Sequence, residues 1–326
     1  MASAAVLPTD PGPYGPIGRS PWMDVDWSEH RRFVEIHGRR VNVVEMGEGD
    51  PAIVFVHGLA GSWQNWLESL PHFAAGQRVV AFDLPGFGSS EMPGEKISIP
   101  AYGRILDALL EELGVGPAVL VGNSMGGFIA AEVAIQFPAR VERLVLVSAA
   151  GLTIEHQRNE HVLGLLRFWR RLLMAWGGFV GARSDAIAGR PRTRELLMRV
   201  VAAHPDRLPA PLVAEQVRGA GNPGFVDGLD ALTDYPIRAR LGAIGCPTLI
   251  VWGADDRLVP VRDADEFERL IPDARKVVWP DTGHVAMLER PAAFNALVEA
   301  FVRAAPRPAE SAPAPSARRR ERAARS

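Results

Sequence analysis

The sequence predicts an α/β fold: a mostly parallel, eight-stranded sheet flanked by helices, with a helical cap inserted after the sixth strand. Three observations carry this expectation. Short apolar runs such as Ala52 to Val56 and Thr248 to Trp252 alternate with stretches of helical periodicity, the pattern of a parallel sheet covered on both faces. Several of these runs end at residues able to do chemistry, among them His57, Asp83 and Ser124, and such sheets place their chemistry outside the carboxyl ends of the strands. From Leu152 to about Tyr235 the strand signals stop and the pattern is helical with breaks.

The chain has 326 residues, 47% of them hydrophobic and 23% charged, which suits a globular body with its own large core. A net charge of −2 implies neither nucleic acid nor an acidic surface as partner. Cys246 is the single cysteine, so no intrachain disulfide forms, and its place before Pro247 reads as a buried structural thiol. Met1 to Pro21 lacks the basic and apolar regions of a signal peptide, and no apolar run reaches transmembrane length. A cytoplasmic protein without stable membrane insertion is expected, and its oligomeric state is left open.

Residues 1–29 read as a flexible, Pro/Gly-rich lead-in, sticky at Trp22, Met23 and Trp27. Phe33 to Ile36 and Val41 to Val44 alternate around His37-Gly38-Arg39, which predicts a hairpin. The strand Ala52 to Val56 follows, then helical patterning through Trp63, Trp66, Leu67, Leu70 and Phe73. A strand over Arg78 to Phe82 leads into Asp83 to Ser90, and a helix is expected over Ile99 to Leu113. Ala118 to Val121 is the next strand, followed by a helix over Phe128 to Phe137 and a strand over Arg143 to Val147. After the cap, strands are expected at Thr248 to Trp252 and Lys276 to Trp279, with helices over Val261 to Leu270 and Pro291 to Arg303. The expected organisation is thus a lead-in (1–29), a core (30–151 and 236–303), a cap or lid (152–235) and a disordered Arg/Pro/Ala-rich tail (304–326).

Between strand and helix lies Gly122-Asn123-Ser124-Met125-Gly126, a G-x-S-x-G spacing. A turn this tight forces its central residue to positive φ and needs small neighbours. It lifts the serine hydroxyl over a helix N-terminus, where negative charge is favoured. Serine is a weak nucleophile at neutral pH and needs a base, which in turn needs a carboxylate to orient it. Ser124, an acid near residue 256 and His284 arrive in the order Ser…Asp…His, each just after an expected strand. With them come His57-Gly58, Asp83-x-x-Gly86-x-Gly88-x-Ser90, Gly253-x-x-Asp256 and Gly283-His284.

In these motifs the chain resembles the serine-nucleophile branch of the α/β-hydrolase superfamily, from about Val34 to Val302 apart from the cap. The resemblance implies Ser124 as nucleophile, His284 as base and Asp256, rather than the adjacent Asp255, as the orienting acid. It also places an oxyanion hole at the backbone N–H groups of Leu59 and Met125. Asp281 reads as a turn former, Asp83 as a tie for the Pro85–Gly88 turn, and His57 as a brace for its loop. Serine rather than aspartate at 124 sets the chain apart from haloalkane dehalogenases and epoxide hydrolases. No metal-ligand cluster, dinucleotide fingerprint or Walker-type lysine is present, so neither cofactor nor metal is expected.

In the cap, Leu166, Trp169, Leu173 and Trp176 recur at helical spacing while Arg167, Arg170 and Arg171 cluster elsewhere. This amphipathic helix packs on the body or lines an apolar pocket, and its arginines offer weak contact with a lipid interface. His57, Asn123, Leu166, Trp169, Trp176 and Val285 are the candidate pocket residues. The expected activity is hydrolysis of a small carboxylic ester with an apolar acyl or aromatic group. Gly122 to Gly127 and Asp255 to Pro260 also resemble meta-cleavage-product C–C hydrolases, an alternative weakened by the short His57 to Gly61 loop and by Val285 where that family often has tryptophan. A non-catalytic ligand receptor on the same fold is a further alternative.

Overall fold

A computed structural model describes residues 7–153, 189–218 and 221–304. The strands are β1 (Arg31–Ile36), β2 (Arg39–Met46), β3 (Ile53–Val56), β4 (Val79–Phe82), β5 (Ala118–Asn123), β6 (Val141–Val147), β7 (Thr248–Gly253) and β8 (Ala274–Trp279). They form one eight-stranded sheet in the order β1-β2-β4-β3-β5-β6-β7-β8. β1 and β2 pair antiparallel and β2 runs antiparallel to β4, while β4, β3, β5, β6, β7 and β8 run parallel. The parallel strands carry no polar face because both faces are covered. Val54, Leu120, Leu146 and Ile250 belong to one apolar core, and their neighbours Phe55, Val121, Val145 and Val251 belong to the other.

The hairpin turn is the expected one. His37 and Gly38 both take positive φ, 50° and 72°, the two-residue geometry that matches the twist of the flanking strands. The expected helix through Trp63 to Phe73 is instead a 3₁₀ turn, Trp63–Trp66, and a short helix α1 (Leu70–Ala74). Pro71 explains the break, since it has no N–H to continue the ladder. Helix α2 (Ile99–Glu112) starts where the Ser98 hydroxyl accepts the Ala101 N–H at 3.2 Å. It stops at Gly114, whose φ of 58° lets the Val115 N–H reach back to the Leu110 carbonyl at 2.8 Å. Helix α3 (Met125–Gln136) begins directly after Ser124, three residues earlier than the sequence pattern suggested.

Between β6 and β7 the described residues form α4 (Pro191–Met198), α5 (Ala210–Arg218) and α6 (Phe225–Asp234). The amphipathic stretch bearing Leu166, Trp169, Leu173 and Trp176 lies outside the described residues, as does the tail from 305 onward. The described cap segments sit on the loops at the carboxyl ends of β3 and β4. The Gly224 N–H donates to the Gly86 carbonyl at 2.8 Å, and the Gly88 N–H donates to the Asn222 side chain at 3.1 Å. Gln216 on α5 accepts from the Asn65 amide at 2.6 Å and donates to the Gln64 carbonyl at 3.0 Å. After β7 come α7 (Arg262–Leu270), α8 (Ala286–Glu289) and α9 (Pro291–Arg303). The short α8 had no signal in the sequence pattern.

The lead-in differs from its expectation of flexibility. Trp22 is buried, its indole N–H donates to the Glu68 carboxylate at 2.8 Å, and the Ser20 hydroxyl donates to the same oxygen at 2.6 Å. Trp27 packs against Trp63 with ring centroids 4.8 Å apart and the rings tilted by 50°. Further upstream the Thr9 carbonyl accepts from the Trp279 indole at 2.9 Å. Composition made this segment look unpartnered; its few aromatic and polar side chains find fixed partners on the body instead. Among the described residues no helix is long and apolar enough to cross a membrane.

Candidate active site

The elbow is built by close approach. Ser124 has φ 56° and ψ −119°, a conformation costing about 1–3 kcal/mol for a residue with a side chain. Three backbone hydrogen bonds hold it there: Ser124 N–H to the Val147 carbonyl at 3.0 Å, and the Ser124 carbonyl accepting from Phe128 at 3.2 Å and Ala150 at 3.0 Å. A Cβ on Gly126 would overlap the Val56 and His57 carbonyls, and one on Gly122 would overlap Gly126 itself. The G-x-S-x-G spacing therefore answers to packing of β5, α3 and the end of β3 on one another.

Asp256 stands in the loop after β7 with its side chain fully enclosed, whereas Asp255 is exposed. The Asp256 Oδ1 accepts N–H groups from Leu258 at 2.8 Å and Val259 at 2.9 Å. Its Oδ2 lies 2.8 Å from His284 Nδ1. That contact fixes the ring so that Nδ1 is the nitrogen facing the carboxylate and Nε2 is the nitrogen left for a reacting hydroxyl. His284 is buried and its N–H donates to the Val201 carbonyl at 2.8 Å, a cap residue. The structure thus brings Asp256 and His284 into one hydrogen-bonded pair. Asp281, at φ 47° and exposed, is a turn residue.

Asn123 has a role the sequence did not supply. Its side-chain amide donates to the Val147 and His284 carbonyls, each at 3.1 Å, and it is buried. It ties the serine strand to the histidine loop through backbone. His57, a candidate pocket residue, is instead enclosed between loops. Its Nε2 accepts the Leu84 N–H at 2.9 Å, its Nδ1 lies 2.8 Å from the Gly58 carbonyl, and the ring is completely buried. Both nitrogens are committed to bracing the loops after β3 and β4. Val285 is buried beside His284, and Leu166, Trp169 and Trp176 fall outside the described residues.

Those loops carry the candidate oxyanion donors. A Cβ on Gly58 would meet the Ser124 Cβ at 3.0 Å, so its absence lets the Gly58–Leu59 backbone lie against the elbow. Among the described residues neither the Leu59 nor the Met125 N–H is taken by a hydrogen-bond acceptor. Met125 is the first residue of α3, where N–H groups have no partner within the helix. Gly228 of α6 packs on the Leu59 and Met125 side chains, which seats the cap on this corner. Asp83 ties the neighbouring turn. It accepts from Trp63 at 2.9 Å and from Asn42 and Ser89 at 2.8 Å each. Among the described residues no group of three or more His, Cys, Asp and Glu side chains is arranged to hold a metal ion.

The model of the alpha/beta hydrolase fold family matches residues 51–291. This chain belongs to that family. Among its relatives, the 2-hydroxy-6-oxo-6-phenylhexa-2,4-dienoate hydrolase of Comamonas testosteroni is 32% identical over 273 residues, covering 79% of this chain and 90% of that one. The dihydrolipoyllysine-residue acetyltransferase component of the acetoin cleaving system of Pseudomonas putida is 31% identical over 279 residues, covering 82% of this chain and 68% of that one. Among solved structures, a bacterial membrane phospholipase A superposes with a TM-score of 0.68 at 27% identity, covering 86% of this chain and 90% of that one. As an α/β hydrolase the chain has the expected sheet, connections and insertion.

Burial holds the His57 imidazole below its ordinary pKa of 6.5, with the Asp83 carboxylate and the Gly58 carbonyl pulling the other way. The unfolded chain then binds the proton more readily than the folded one, so stability rises with pH through this range. Protonation would also leave the Leu84 N–H without its acceptor. Thermal unfolding followed from about pH 7.5 to about pH 5 is expected to show a midpoint that falls once the pH passes below the ordinary histidine value. A His57→Gln variant is expected to be less stable at the upper pH and to lose less on acidification. An equally steep loss in the variant would assign the effect to other groups.

Proposed function

We propose that this α/β hydrolase is a serine hydrolase that cleaves a carboxylic ester bearing an apolar acyl or aromatic group. The observation that supports it is the His284–Asp256 pair, on a loop whose His284 carbonyl accepts from Asn123, the residue preceding a strained Ser124 that opens a helix. In this reading the Ser124 hydroxyl attacks the ester carbonyl carbon as His284 Nε2 takes its proton. The carbonyl oxygen gains negative charge, which the Leu59 and Met125 N–H groups receive. Collapse of that intermediate expels the alcohol, which leaves with the proton from His284, and an acyl group remains on Ser124. Water, deprotonated by His284, then repeats the sequence and releases the acid. The enclosed Asp256 carboxylate stabilises the imidazolium in both halves.

An apolar substrate fits the described surroundings, since Val285, Met125 and the Leu59 side chain bring hydrocarbon to the corner. Exposed Leu196, Leu197 and Val200 at α4 add apolar surface to the cap, and the similar phospholipase is by its name a lipid-ester enzyme. C–C bond hydrolysis of a meta-cleavage product is the second reading, favoured by the 32% identity to the Comamonas enzyme. Turnover of short- and medium-chain nitrophenyl esters measured beside a ring-fission dienone separates the two. Ester turnover exceeding dienone turnover by about 10²-fold or more in kcat/KM supports the ester reading, and dienone turnover alone would replace it with the second. If neither reacts and a fluorophosphonate leaves Ser124 unmodified in folded protein, a ligand receptor on the same fold takes their place.

A further inference from the structure

Glu289 is completely buried at the end of α8, yet it makes no ion pair with a described residue. Its carboxylate instead collects N–H and O–H donors from three separate parts of the chain. Gly283 N–H lies 2.9 Å from both carboxylate oxygens, and Val285 N–H lies 3.2 Å from Oε1. These two amides flank His284. The Ala203 N–H, from the segment joining α4 to α5 in the cap, donates to Oε2 at 2.8 Å. The Tyr14 hydroxyl, from the lead-in, donates to the same Oε2 at 2.7 Å and accepts the His204 N–H at 2.9 Å. Burial pushes the Glu289 carboxyl up, while the donors from Ala203, Gly283, Tyr14 and Val285 pull it down.

We propose that Glu289 and Tyr14 are positioning residues for His284, holding its loop at one fixed distance from Ser124 while locking the cap segment 201–204 and the lead-in to the same carboxylate. The inference rests on the reading of Ser124, Asp256 and His284 as the reacting set. His284 is gripped from its backbone on both sides, by the Glu289 bonds to Gly283 and Val285 and by its own N–H to the Val201 carbonyl. The cap partners of these bonds, Val201 and Ala203, are two residues apart, so the cap and the histidine loop form one unit. Tyr14 closes that unit. Its ring stands edge-on to His204 at 5.3 Å, and the Arg290 and Arg207 guanidinium groups lie 4.9 Å and 5.8 Å from its centre. Arg290 fastens the lead-in once more by donating to the Gly12 carbonyl at 2.8 Å, and the Gly15 N–H donates to the Glu289 carbonyl at 2.7 Å.

A hydroxyl attack needs the reacting atoms aligned, and small misplacements of a general base are costly in rate. Tyr14→Phe removes one hydrogen-bonding hydroxyl and keeps the ring contacts. Glu289→Gln keeps the volume but points an amide at groups that are themselves donors. The test follows the rate of covalent labelling of Ser124 in the full-length protein by an alkyl fluorophosphonate, a probe that needs His284 but no knowledge of the substrate. The maximal labelling rate is expected to fall about tenfold in Tyr14→Phe and further in Glu289→Gln, with the half-saturating probe concentration within about twofold of wild type. Unchanged maximal rates in folded protein would overturn the proposal, as would a lowered unfolding midpoint with the rate of the folded fraction intact, which describes a merely structural strap. If Glu289→Gln does not fold, Tyr14→Phe alone decides. A wild-type protein that does not label overturns the underlying reading instead, and so is told apart from failure of this one.

Discussion

Ser124→Ala is expected to lower ester turnover by about 10⁴- to 10⁶-fold and to abolish fluorophosphonate labelling, with the unfolding midpoint close to that of wild type. The loss is large because the hydroxyl is the atom that forms the new bond, and no neighbouring group replaces it. The stability is spared because alanine inherits the same φ of 56° and the same three backbone hydrogen bonds that hold the elbow. His284→Ala is expected to lose a similar factor, and the double variant no more than either single one, since nucleophile and base act in one step. Ser124→Gly sharpens the contrast. Glycine takes positive φ without a Cβ penalty, so this variant is expected to gain about 1 kcal/mol of stability while remaining inactive. Steady-state kinetics and thermal unfolding on the same preparations check all of these. Residual turnover within about tenfold of wild type in Ser124→Ala would remove Ser124 from the mechanism.

The parts of this protein that sequence made legible are those whose cause is local. The apolar runs are buried strands because a covered parallel sheet demands apolar residues on both faces. The G-x-S-x-G turn reads correctly because its glycines are needed by atoms within a few residues and by β3 beside it. The resemblance to the hydrolases pointed to Asp256 rather than Asp255, and the structure encloses one side chain and exposes the other. What sequence concealed depends on partners far along the chain. Asn123 reaches the carbonyl of His284, and Glu289 gathers Tyr14, Ala203 and Gly283. A buried carboxylate serving backbone amides leaves no periodicity and no spacing rule, so nothing in Leu288-Glu289-Arg290 marked it. The lead-in was misjudged for the same reason, because composition reports the lack of a core but not the presence of a docking site for Trp22 and Tyr14.

Gly126→Ala is the substitution expected to damage fold and site together. A methyl at this position would run into the carbonyls of Val56 and His57, and these are backbone atoms at the end of β3. Side chains can rotate away from such a contact, but β3 is held in register on both sides, with Val56 opposite Phe82 and Gly122. Relief must therefore come from moving α3 away from the sheet, which opens packing around Phe128 and Ile129 in the apolar core. The expected cost is about 3 kcal/mol, or a fall in unfolding midpoint of roughly 4–5 °C for a chain of this size. Gly116→Ala is the matched control. No heavy atom outside its immediate neighbours lies within 4 Å of the added carbon, and its φ is outside the left-handed region, so little change is expected. Activity should fall further in Gly126→Ala than stability accounts for. The same movement carries the Met125 N–H and Ser124 with α3 while leaving Leu59 with β3, and that divides the two proposed oxyanion donors. A loss of about 10²-fold in the maximal rate of the folded protein is expected at a temperature where it is fully native. A Gly126→Ala variant with wild-type stability and rate would mean that β3 and α3 have slack between them, and the steric account of the elbow would have to be abandoned.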